Sequence, residues 1–179
     1  VILTSFVPMV NKPSEDELNS LVVDLNHYLT VLLRDEYKVE SNNKQKIEVN
    51  NPATLEIIGT VPKCGKEETK FAITKAKEAW KSWRERTAID RSNTLRQWNN
   101  LILENQEDLA RIMTIEQGKP LSESRGEIVY GASFVEWFAE EAKRVYGDII
   151  PDRFTDRRIL VLKQPIGVVG AITPWNFPS

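Results

Sequence analysis

Ile166-Gly167-Val168-Val169-Gly170-Ala171-Ile172-Thr173-Pro174-Trp175-Asn176-Phe177-Pro178-Ser179 decides how this chain is read. Its first half is short, apolar and partly β-branched, the composition of a strand buried on both faces of a parallel sheet. Residues 168–172 are therefore expected as a central strand. The second half is a turn stiffened by Pro174 and Pro178, whose rings fix φ. A polar turn at the carboxyl end of a buried strand lies where open α/β sheets take up their ligands.

Upstream, residues 158–164 form a strand with polar ends, broken by Pro165 and Gly167. Before it, Leu121, Ile128, Ala132, Val135, Phe138, Ala142 and Val145 recur at three- and four-residue steps, which predicts a helix over 121–145 ending at Gly147. Gly126 and Gly131 lie inside it, and interior glycine weakens a helix by about 1 kcal/mol each. Both are therefore expected to admit another element closely. Gly118 stops a short helix carrying Leu109, Ile112, Met113 and Ile115, and Pro120 opens the next. Two more helices are expected near 88–104 (Leu95, Trp98, Leu101, Ile102) and near 67–84 (Ala72, Ile73, Ala76, Ala79, Trp80, Trp83). Residues 47–62 read as two short strands about Asn50-Asn51-Pro52.

The first 46 residues form a separate block. Ser14 and Glu17 make a capping-box signature, followed by Leu18, Leu21, Val22, Leu25, Leu29 and Leu32 on one stripe. This predicts one amphipathic helix over 15–35, with His27 off the stripe, and a polar linker over 36–46. The expected division is an atypical extension, 1–46, and a main unit, 47–179.

Composition narrows the partners. With a net charge of −2, the chain lacks the basic excess that nucleic acid or an anionic membrane requires. No apolar run approaches a membrane span. Val1 to Val10 lacks the basic start and the cleavage site of a signal peptide, and no Arg-rich import segment is readable. One cysteine and one histidine cannot build a Cys/His zinc site within one chain, so no metal is expected.

Four blocks in order carry a resemblance. They are Asn51-Pro52-Ala53-Thr54; Glu116-Gln117-Gly118-Lys119-Pro120-Leu121; the run from Tyr130 through Phe134-Val135-Glu136-Trp137-Phe138-Ala139-Glu140-Glu141-Ala142-Lys143-Arg144 to Tyr146-Gly147-Asp148; and Leu162 through Pro178. With them the chain resembles the NAD(P)-dependent aldehyde dehydrogenase superfamily from about Ile47 to Pro178. The third block is the narrowest and points to the succinate-semialdehyde branch.

The resemblance implies an α/β fold of three parts: a doubly wound cofactor domain, a catalytic domain and a β-flap that joins subunits. This chain would supply N-terminal helices, the first flap strands (from 47–58 and 158–164) and the first central strand. The fold is incomplete in this chain, because a lone central strand leaves its backbone groups unpaired at about 1–3 kcal/mol per buried group. The implied reaction is attack of a cysteine thiolate on an aldehyde, hydride transfer to NAD or NADP, and hydrolysis of the thioester. The implied substrate is succinate semialdehyde, and the implied assembly is a homo-oligomer, a tetramer or dimer.

Residue by residue, Asn176 matches the family's side-chain donor to the oxyanion. An amide NH₂ donates without changing charge. On composition alone Asn176 reads as a helix cap; the match reverses that reading. Ile172, Thr173, Pro174 and Trp175 match the segment lining the cofactor cleft, and Phe177 matches a wall of the substrate tunnel. The family's nucleophile, base and ribose-binding lysine match nothing in this sequence, so the chain by itself is expected to be inactive. Cys64 lies in a loop where Lys63 and Lys66 could lower its pKa, and it is read as an exposed loop thiol rather than a nucleophile. Glu136, Glu140 and Glu141 are read as a solvated helix face, with Glu140 paired to Lys143 or Arg144. Arg153, Arg157 and Arg158 are read as rim charges on the flap.

Two departures stand out: no Gly-x-Trp strand precedes the hairpin, and Leu55 replaces the usual glycine of its turn. The compartment stays open between mitochondrial and cytoplasmic. The competing reading is a non-catalytic helical module that binds a full-length relative or another partner through faces left bare.

Overall fold

The structure, a computed structural model, describes residues 44–179. The helix expected over 15–35, its capping box and His27 lie outside the described residues. The described residues are mixed α/β: a hairpin, four helices and a second hairpin, in that order.

Strands β1 (Lys46–Asn50) and β2 (Ile57–Pro62) pair antiparallel, with Ile47 opposite Val61 and a register shift at Val49/Asn50. Asn51 builds the turn: its side chain accepts from the Ala53 amide at 2.9 Å, and its carbonyl accepts from the Leu55 amide at 2.7 Å. Leu55 sits at φ 63° and is 75% exposed. A Cβ in this left-handed region costs roughly 1–2 kcal/mol, more than the ~0.5–1 kcal/mol of extra chain entropy that glycine loses on folding. Leu55→Gly should therefore stabilise the hairpin by about 0.5–1 kcal/mol, read as a higher denaturation midpoint.

Helix α1 (Lys66–Glu85) starts where the Glu68 carboxylate accepts from the Gly65 amide at 2.8 Å. Four of the six residues on the expected face turn inward. Ala72, Ala76, Trp80 and Trp83 are half-buried, whereas Ile73 and Ala79 are exposed. Helix α2 (Ala88–Glu104) starts at Thr87, whose hydroxyl accepts from the Asp90 amide at 3.2 Å. Helix α3 (Gln106–Gln117) ends at Gly118, φ 80°, whose amide donates to the Thr114 carbonyl at 2.9 Å. A Cβ built on Gly118 would lie 2.8 Å from Pro52 Cγ, so this glycine also lets the first hairpin rest on the end of α3. Helix α4 (Leu121–Glu141) follows Pro120.

Helix α4 is the hub, packing along both α2 and α3. Ala110, Met113 and Ile128 form the core, with Ile102, Leu109 and Leu121 against it. Ala132 and Ala139 continue the buried stripe along α4, while Ser92 and Asn99 are the buried residues of α2. The stripe thus runs through Ala139 rather than Phe138, which is exposed along with Val145. Small residues on these faces let the helix backbones approach closely. The helix also stops at Glu141 rather than near Val145, with Ala142 as its cap.

Glu107 on α3 accepts from Arg125 on α4 at 2.6 and 2.8 Å and from Arg111 at 3.1 Å. The Arg125 hydrogen bonds lead in lowering its carboxyl from 4.5 to about 2. A depressed folded-state value means stabilisation that is complete above the ordinary range and lost as pH falls through the folded value. Stability should therefore drop between about pH 4.5 and 2, and Glu107→Gln should flatten that limb when denaturation midpoints are measured against pH.

Strands β3 (Asp148–Ile150) and β4 (Ile159–Val161) pair antiparallel, Ile149 opposite Leu160. Gly147 permits this pairing, since a Cβ there would meet the Val161 carbonyl oxygen at 2.1 Å. Arg153 and Arg157 stack on the Phe154 ring, 4.5 and 4.4 Å from its centroid. Residues 168–172, expected as a strand, carry no strand. Among the described residues no strand pairs with them, and a β conformation without a neighbour leaves its amides and carbonyls unmatched.

Candidate functional site

Residues 174–179 cross the corner between α3 and α4, and that corner holds them by their backbone. Gln117 Nε2 donates to the Trp175 carbonyl at 2.7 Å. Lys119 Nζ donates to the Asn176 carbonyl at 2.6 Å and to Glu127 Oε2. The other Glu127 oxygen accepts from the Ser179 amide at 3.0 Å. Within the turn, the Phe177 amide donates to the Pro174 carbonyl at 3.1 Å. Lys119 also stands over the Phe177 ring, 4.8 Å from its centroid.

The sequence explains why these groups meet. Gly118 breaks α3 with a left-handed residue and Pro120 starts α4, so Gln117 and Lys119 flank a sharp reversal. Glu127 lies beside Ile128 on the buried face of α4. Gly131, one turn further on, leaves room for Ser179, whose Oγ would be 2.4 Å from a Cβ built there. This meets the expectation for Gly131. Among the described residues nothing lies within 4 Å of a Cβ built on Gly126, so they do not meet the expectation for that glycine.

Lys119 and Glu127 form a buried ion pair, with side chains 11% and 3% exposed. In low dielectric such a pair is strong but gains little net stability over an apolar pair. One oxygen of Glu116 is buried without a hydrogen-bond partner among the described residues, and burial pushes its carboxyl up.

The residues singled out from sequence stand on the outer side of this corner. Ile172 is 82% and Trp175 77% exposed, and Thr173, Pro174, Asn176 and Phe177 are exposed too. The turn is thus tied down through its main chain while Asn176 and the rings beside it stay open. An amide held on a stiff turn can donate to an oxygen that gains negative charge. Cys64 is exposed, and its thiol is pushed up by partial burial and then by the Glu68 charge. Cys64 is thus the exposed loop thiol the sequence suggests, and Lys63 and Lys66 do not lower its pKa. Glu136 and Glu140 are exposed; Glu140 pairs with Lys143 and with Arg96 of α2, whereas Arg144 pairs with Glu141.

Sequence reasoning missed Gln117, Lys119 and Glu127 as site residues. The available signal was a carboxylate between apolar positions of the α4 stripe, which demands a buried cation.

The aldehyde dehydrogenase family model matches residues 38–179. A glutarate-semialdehyde dehydrogenase of Pseudomonas aeruginosa is 64% identical over 141 residues, covering 79% of this chain and 29% of the relative. The NADP⁺ succinate-semialdehyde dehydrogenase of Escherichia coli is 57% identical over 141 residues, with the same shares. A betaine aldehyde dehydrogenase from Staphylococcus aureus, solved with NAD⁺, superposes with a TM-score of 0.75 at 36% identity, over 80% of this chain and 29% of that one. The chain therefore spans less than a third of the length of these relatives.

Proposed function

Since the chain belongs to the aldehyde dehydrogenase family, we propose that it is part of an NAD(P)-dependent oxidoreductase converting an aldehyde to a carboxylic acid. The substrate is a dicarboxylic semialdehyde, with succinate semialdehyde first. The observation that carries this reading is the anchored turn of residues 174–179, with Asn176 exposed on it. The high identity to two semialdehyde-oxidising relatives supports the substrate class.

NAD or NADP, when bound, supplies the hydride acceptor. The residues present fit one lip of a dinucleotide cleft: Ile172 and Trp175 offer apolar surface that the core of the described residues does not use, beside Thr173 and Pro174. Asn176 donates to the substrate oxygen as charge builds on it. Phe177 walls the approach to that oxygen. Among the described residues each hairpin is a two-stranded sheet, marginal by itself, and its open edges suit pairing in a homo-oligomer.

The test is a hybrid in which residues 38–179 replace the matching N-terminal part of the E. coli relative. It should oxidise succinate and glutarate semialdehydes with higher kcat/KM than a neutral aldehyde of equal length. A folded hybrid that binds cofactor yet leaves both semialdehydes unreacted refutes the proposal. The 179-residue chain should form no NAD(P)H.

A second reading rests on the apolar face of α4, where Tyr130, Phe134, Trp137 and Phe138 are exposed. It makes the chain a non-catalytic module that docks on a full-length relative. Co-purification with a complete subunit, together with an inactive hybrid, would favour it.

A further inference from the structure

We propose that Lys119, oriented by Glu127, is a positioning residue that sets where the Asn176 side chain projects. The kinetic part of this proposal rests on the oxyanion role given to Asn176 above; the structural part does not.

The geometry acts on one peptide plane. The unit joining Asn176 to Phe177 is rigid, so two tethers fix it. Its oxygen accepts from Lys119 Nζ at 2.6 Å, and its amide donates to the Pro174 carbonyl at 3.1 Å. Fixing that plane sets ψ of Asn176 and φ of Phe177. Both side chains project from the Cα atoms at its edges. Gln117 holds the preceding peptide at the Trp175 carbonyl, and Glu127 holds the Pro178–Ser179 peptide at the Ser179 amide. All four tethers end on main-chain atoms of the turn. They define its path and leave the Asn176 amide free to meet a ligand.

The charge state argues the same way. A buried ion pair is a poor device for stability, because desolvating both groups offsets most of their attraction. It is a good device for orientation. Lys119 has three donors. The Glu127 carboxylate and the Asn176 carbonyl, 57 positions along the chain, take two of them, and the ammonium also faces the Phe177 ring. An apolar pair would fill the same volume and hold no carbonyl.

Hydrogen exchange on the 179-residue chain tests the tether. With Lys119→Met combined with Glu127→Gln, which leaves no charge buried without its partner, the Phe177 amide should exchange about tenfold faster, while Ala132 and Ala139 in α4 stay protected. Lys119→Gln, which keeps a donor, should give a smaller change and serves if the methionine variant fails to fold. Unchanged exchange at Phe177 in the folded variant overturns the proposal. In the hybrid, Lys119→Met should lower kcat about a hundredfold with KM for the aldehyde within about twofold. Adding Asn176→Ala should cost no more than Asn176→Ala alone, because both act through one side chain. Full additivity of the two losses overturns the positioning role. If Asn176→Ala alone leaves kcat intact, the oxyanion reading fails, and the exchange result still decides whether Lys119 holds the turn.

Discussion

Replacing Asn176 with alanine in the hybrid enzyme should lower kcat by about 10²–10³, with substrate KM nearly unchanged. The size follows from what the amide does. In water a lost neutral hydrogen bond is replaced by solvent and contributes about 1 kcal/mol. In a dry cleft, a fixed donor aimed at an oxygen acquiring negative charge contributes about 2.7–4 kcal/mol. The loss falls on kcat because the aldehyde oxygen carries little charge before attack. Asn176→Asp should be worse than alanine, since a carboxylate repels the same charge. Steady-state kinetics checks both. A fall of less than about threefold for alanine, at normal folding and cofactor affinity, would refute the assignment of Asn176.

Glu127→Ala should destabilise the 179-residue chain by about 3–5 kcal/mol in denaturant unfolding. It strands the Lys119 ammonium, which is 11% exposed, without its anion. Against a total stability of about 5–15 kcal/mol for a domain, that is a large fraction. The companion result is diagnostic. Replacing both partners, Lys119→Met with Glu127→Leu, should restore most of the stability, because no charge then stays buried. It should not restore the slow exchange of the turn. Stability and turn order then separate, which is the signature of a pair kept for orientation. If the double variant is as unstable as Glu127→Ala, the burial argument is wrong.

The sequence reading was most accurate where structure is local. The helix expected near 88–104 is found at Ala88–Glu104, because Thr87 caps it and its apolar spacing is set within one turn of neighbours. Gly118 stops a helix as expected, for glycine takes φ 80° without a Cβ penalty. Leu55 stands where the family's first turn has glycine, and the turn places it in a left-handed conformation. The reading slipped along α4, where Phe138 and Ala139 compete for one stripe. Periodicity favours the larger apolar residue. The close approach of α2, with Ser92 and Asn99 on its buried side, accepts only the smaller one.

At the candidate site the turn itself was legible, because prolines and a distinctive order of residue types mark it locally, while the roles of its side chains came from the family resemblance. The anchor of the turn was not legible. Lys119 and Asn176 are 57 positions apart, and no period or cap relates them. The Gln117-Gly118-Lys119-Pro120 block was recognisable as a marker without a role.

The chain's own residues, through capping, turn chemistry and the 3.6-residue repeat, determined the helices and the first hairpin, while the four motif blocks carried the family resemblance. Those signals act over a few positions and need no partner. Tertiary structure alone decided which polar groups are buried, that Lys119 reaches the carbonyl of Asn176, and that residues 168–172 carry no strand. Each of these depends on a group distant in sequence: a buried charge needs its counter-ion, and a strand needs a neighbour to complete its hydrogen bonds.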